Sequence, residues 1–113
     1  MTGRTRNLAW SAAIVGAAVF GTPALAQTEC GTDRKIDIAE MTWASASVIA
    51  HIHAIILGEG YSCNVELVPG ATVPTSASMM GNGEPAVTPE LWMSSIADRW
   101  AEAEAAGTVV SLG

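Results

Sequence analysis

Basic residues are scarce in this chain. Its 113 residues hold five Lys and Arg against eleven Asp and Glu. No basic cluster occurs, which excludes a nucleic-acid surface, since that binding rests on cations set against phosphates. Charged residues make up only 14% and hydrophobic ones 50%, which excludes a disordered polyelectrolyte. The length is that of one small domain, too short for a multidomain enzyme. Internal repeats and low-complexity segments are absent. So are the G-x-S-x-G, P-loop, H-E-x-x-H and G-x-G-x-x-G signatures. The carboxylates Glu84, Glu90, Glu102 and Glu104 form no recognisable pair with a nucleophile or His, and nothing in the chain points to an enzyme.

Apolar runs are equally rare, and the one that exists is N-terminal. Arg4 and Arg6 precede an apolar or small stretch over 8–20, followed by Pro23 and the small-residue end Ala24-Leu25-Ala26. That order is a secretory signal peptide, predicted to span residues 1–26 with cleavage after Ala26. Thirteen apolar residues are too few for a membrane anchor, which takes about 20. The expected location is the periplasm. Taking 26 from 113 leaves 87 residues, in which Arg34, Lys35 and Arg99 face all eleven acids, a net charge of −8. Such a field steers cations inward without selecting among them.

Export bears on the only two cysteines, Cys30 and Cys63. An oxidising compartment favours a disulfide between them. Their spacing is far from the C-x-x-C of a redox pair, and two distant thiols are too few for a metal site.

The remaining pattern predicts alternating strands and helices. Residues 35–40 alternate as a strand. Val48, Ile49, Ile52, Ile55 and Ile56 recur with helical period and predict an amphipathic helix of about 14 residues, capped by Thr42 or Ser45 and ended by Gly58 and Gly60. Residues 64–68 read as a second strand stopping at a Pro69-Gly70 turn. A weak helix is expected over 75–83, a brief buried strand over 85–88, a helix over 94–106 and a last strand over 108–112. The order β-α-β-α-β-α-β predicts an α/β fold with a mostly parallel sheet flanked by helices. In such sheets ligands bind beyond the carboxyl ends of the strands. Two segments lie there, 41–47 and 89–92, and each carries a tryptophan.

Trp43 and Trp92 are therefore the candidate site residues. Two indole faces can hold a quaternary ammonium by cation–π attraction, about 2 kcal/mol or more each once desolvated. Filling a core is the commoner use of such rings, and for Trp100, on an apolar stripe two turns after Trp92, it is the expected one. The start of the helix after Trp43 offers free N–H groups suited to a carboxylate. Ser45 and Ser47 add hydroxyl donors there, although capping alone would account for them. His51 and His53 sit at i and i+2, on different helix faces, and so share no metal. Met79-Met80 reads as a gap filler.

Several segments together resemble a known family. Cys30-Gly31, Ile36-Asp37-Ile38-Ala39-Glu40-Met41-Thr42-Trp43-Ala44-Ser45-Ala46, the run from Glu59 to Gly70, Pro74-Thr75, Gly83-Glu84-Pro85 and Pro89-Glu90-Leu91-Trp92 look, in that order, like the mature start of glycine betaine/proline substrate-binding proteins of ABC importers. The resemblance implies a periplasmic-binding-protein type II-like lobe, with residues 27–113 forming the N-terminal part of the first of two. It implies a ligand such as glycine betaine, proline betaine or choline, no cofactor, and an ABC permease with its ATPase at the inner membrane as partners. By resemblance Trp43 and Trp92 match two positions of an aromatic cage, and Ser45 and Ser47 lie where polar contacts occur. Relatives often carry an acid where this chain has Ala86. Relatives are also much longer, so this chain is expected to be a partial receptor that binds weakly. The other class of reading is a small secreted interaction or structural domain, derived from a receptor lobe, that binds no solute.

Overall fold

The computed structural model describes residues 29–113. The expected leader and its cleavage point lie outside the described residues. Strand β1 (Ile36–Met41) leads through helix α1 (Ala44–Ile55) and a π-helical turn (Ile56–Gly60) to strand β2 (Val65–Gly70). Helix α2 (Thr72–Asn82) follows, then a 3₁₀ turn (Met93–Ser95) and helix α3 (Ala97–Ala105).

β1 and β2 are parallel, in register from Ile36 opposite Val65 to Met41 opposite Gly70. On the other edge of β1, Ala39 N–H donates to Val87 O (2.8 Å) and Val87 N–H to Asp37 O (3.1 Å), a parallel bridge. β1 is thus central, flanked by β2 and by Val87. The expected third strand shrinks to this one residue. Pro85 and Pro89 bracket it and have no N–H to extend a ladder.

Neighbouring residues of a strand point to opposite faces of its sheet. Ile38 and Ala39 are both fully buried, so β1 is covered on both sides, as the predicted α/β arrangement requires. On one side Ala39 and Met41 meet Ala46 of α1, with Trp43 and Leu91 packed against them. Gly70 lets β2 close on this cluster. A Cβ there would come within 2.9 Å of Met41 Sδ and 3.1 Å of Thr75 Oγ1.

Four expectations are corrected. The face α1 buries is Ala46 and Ala50, while Val48, Ile52, Ile55 and Ile56 are about half exposed. Small side chains let a helix lie close to a sheet, and the larger stripe is turned outward. No side chain caps α1, whose N-cap is Trp43. Pro69-Gly70 is the end of β2 rather than a turn. A proline is tolerated there because β2 is an edge strand. Finally, residues 108–112 form no strand. Val110 and Leu112 are exposed, and the segment is tied back to α3 by Thr108 N–H to Ala103 O and Ser111 N–H to the Glu104 carboxylate.

The weak second helix is longer than expected, because Pro74 falls in its first turn, where a missing N–H costs nothing. Gly83 ends it in the left-handed conformation (φ 74°). Cys30 and Cys63 are disulfide-bonded with Cα atoms 4.9 Å apart. The bond ties the segment before β1 to the start of β2.

Candidate functional site

The parallel arrangement sets the site. β1 and the Val87 bridge run the same way, so the segments that follow them emerge at the same end of the sheet. Trp43 stands two residues past β1, and Trp92 five past Val87. Their ring centroids are 5.0 Å apart with planes tilted by 36°, an ordinary attractive geometry for two aromatic rings. Trp43 is half-buried against the Ala39–Met41–Ala46 cluster. Trp92 is 58% exposed. One ring is built into the fold and the other lies over it.

The rings touch each other rather than standing apart. A methylated ammonium does not fit between centroids 5.0 Å apart. It has room on the outward faces of the pair, within the 6 Å or so over which cation–π attraction acts.

A third residue, absent from the sequence-based candidates, joins the pair. Trp43 Nε1 donates to Glu90 Oε1 at 2.8 Å, and Trp92 Nε1 donates to the same oxygen at 3.2 Å. The Glu90 carboxyl is held below the usual carboxylate range, first by hydrogen bonding from Ser45, then by the Trp43 and Trp92 indoles. Of these donors the two indoles have well-formed hydrogen-bond geometry. Thr88 Oγ1 donates to the Glu90 carbonyl at 3.3 Å and shapes the turn that carries the side chain. The signal for Glu90 was present as an acid two residues before a tryptophan, in Pro89-Glu90-Leu91-Trp92. Its use depends on Trp43, 47 positions away.

Of the two serines, Ser45 is exposed in the first turn of α1, beside Glu90. Ser47 is turned elsewhere. Its hydroxyl donates to Glu40 Oε1 at 2.6 Å, and its carbonyl lies 2.9 Å from His51 Nδ1. The structure therefore brings Trp43, Trp92 and Ser45 together and engages Ser47 with β1. Trp100 is 6% exposed, in the core as expected. A cavity of about 410 Å³ is lined by Trp100, Val87, Leu91, His53, Met79 and residues 110–113 among others. Neither site indole nor Glu90 lines it, so the cavity and the indole pair lie apart, and the two indoles with their shared carboxylate are the better candidate. Among the described residues, no three His, Cys, Asp or Glu side chains are grouped to hold a metal, and no helix is long and apolar enough to cross a membrane.

Residues 34–113 match the model of the substrate-binding domain of ABC-type glycine betaine transport systems. The chain belongs to this family. The match covers the sheet, all three helices and the whole Trp43–Trp92–Glu90 group. The chain has no significant match among curated proteins. Members of the glycine betaine substrate-binding family are non-enzymatic transport components that work outside the cytoplasm, and the two-stranded parallel sheet with its helices is consistent with part of a binding-protein lobe.

Proposed function

We propose that this chain is the periplasmic solute-binding component of an ABC importer for glycine betaine or a related quaternary amine, and that Trp43 and Trp92 contact the cationic head. On this reading residues 27–113 are the N-terminal part of a first lobe, exported by the leader over residues 1–26. The chain then hands its ligand to a permease driven by an ATPase. The observation that carries the reading is the pairing of half-buried Trp43 with exposed Trp92 at the carboxyl end of the parallel strands. A trimethylammonium head is large, weakly hydrated and cationic, so it gains from π faces without a large desolvation cost. Ser45 and the free N–H groups at the start of α1 are suited to a ligand carboxylate. The net negative charge steers cations toward the protein.

Calorimetric titration with glycine betaine, choline and proline tests this, with 3,3-dimethylbutan-1-ol as a neutral isostere of choline. Weak saturable binding of a quaternary amine, and none of the isostere, is expected. Equal binding of choline and the neutral isostere, or no binding of any quaternary amine, overturns it.

A second reading is supported by the exposed apolar stripe Val48, Ile52 and Ile55 of α1, continued by Ile56 of the π-helical turn. Such a stripe suits contact with another protein surface, as in an interaction domain that binds no solute. Cooperative unfolding that no quaternary amine shifts would favour it.

A further inference from the structure

We infer that Glu90 is a positioning residue that fixes Trp43 and Trp92 to one another through a single carboxylate oxygen, and so sets the aromatic surface offered to a cation. The inference deepens the quaternary-amine reading and rests on it for its functional half.

Three observations carry it. Both indole N–H groups converge on Glu90 Oε1, at 2.8 and 3.2 Å, from segments far apart in sequence. Trp92 is 58% exposed, so burial does little to choose its rotamer, and the bond to Glu90 supplies the missing restraint. The rings are in direct contact at a defined tilt, an attraction that a shared acceptor reinforces. Hydrogen bonds to a carboxylate are about twice as strong as neutral ones. The shared anion also draws on the N–H groups at the ring edges, leaving the faces richer in electron density for a cation. Like any carboxylate it is ionised at neutral pH, and its lowered pKa extends that state into acid.

The test is made on the ligand-free 113-residue chain. Indole Nε1–H resonances are followed by NMR across acidic pH, and coupling between the two rings is read by circular dichroism. The Trp43 and Trp92 resonances are expected to move together with one midpoint below the ordinary carboxyl range. The Trp100 N–H, which has no hydrogen-bond partner among the described residues, stays still. Glu90→Gln keeps an oxygen acceptor, so it should retain the ring coupling and abolish the shared titration. Glu90→Ala should lose both. Separate midpoints, or an unchanged coupling signal in Glu90→Ala, overturn the clamp.

Affinity is read separately. For glycine betaine or choline, Glu90→Ala should weaken binding about tenfold, the scale of a hydrogen bond to a charged group, and Glu90→Gln less. A wild type that shows the shared titration but binds neither amine overturns the receptor reading and leaves the clamp standing. Equal affinity of wild type and Glu90→Ala overturns the functional role of the clamp.

Discussion

Replacing Trp92 by Ala separates stability from binding. The ring is 58% exposed, so truncation forfeits little buried area. The main structural loss is its contact with Trp43, and aromatic pairs contribute about 0.5–1.5 kcal/mol. A destabilisation of about 1 kcal/mol follows, a drop of about 4–8 °C in melting temperature for a domain of this size. Trp43→Ala removes the same pair contact and also uncovers Ala39, Met41 and Ala46. A fully enclosed Trp costs about 3–5 kcal/mol on truncation. Trp43 is only half-buried, so about 2–3 kcal/mol is expected. Small domains have little stability to spare, and the two variants should be well resolved by urea denaturation. Binding divides in the same sense. An exposed indole contributes about 0.5–1 kcal/mol to holding a cation and a desolvated one about 2 kcal/mol. Trp92→Ala should therefore weaken quaternary-amine binding about two- to fivefold, and Trp43→Ala up to about thirtyfold, measured by calorimetry because fluorescence loses its own reporter. Equal destabilisation by the two substitutions would refute the assignment of one ring to the fold and the other to its surface. Affinity unmoved by either would remove both from the site.

Other outcomes follow from the same structure. Breaking the Cys30–Cys63 bond, which spans 33 positions, by the double substitution Cys30→Ser with Cys63→Ser frees loop entropy of the unfolded chain. It should lower stability by about 3–4 kcal/mol, read as a shift in the urea midpoint. Gly70→Ala puts a Cβ 2.9 Å from Met41 Sδ; overpacking of this kind costs about 1–3 kcal/mol, and thermal melts check it. Glu90 has a folded pKa below its ordinary value of 4.5, so in acid the unfolded chain binds more protons than the folded one. Its contribution to stability is complete above about pH 4.5 and fades as pH falls through the lower folded value. Glu90→Gln should flatten that limb of a stability-against-pH curve, and an unchanged limb would count against the Glu90 hydrogen bonds.

How much of this was legible beforehand depends on the range over which each signal acts. β1, α1 and β2 carry local patterns of period two or 3.6, and these were readable, as was the pairing of the only two cysteines. The face that α1 buries was not. Periodicity shows that Val48, Ile52 and Ile55 share a side, but not that the sheet takes the alanine side instead. The strand expected over 108–112 has suitable residues, yet a strand needs a neighbour with free N–H and C=O groups. Those residues instead satisfy theirs partly through α3.

The site divides in the same way. Sequence alone determined the chemistry at each position: indoles after two parallel strands, hydroxyls in a first helical turn, an acid before the second Trp. Only the tertiary structure decided that Trp43 and Trp92 touch, that Ser47 is engaged with Glu40, and that one oxygen of Glu90 accepts both indole protons. Residue type and spacing are properties of the chain, whereas hydrogen bonding across 47 positions requires two separate segments to meet at one end of the sheet.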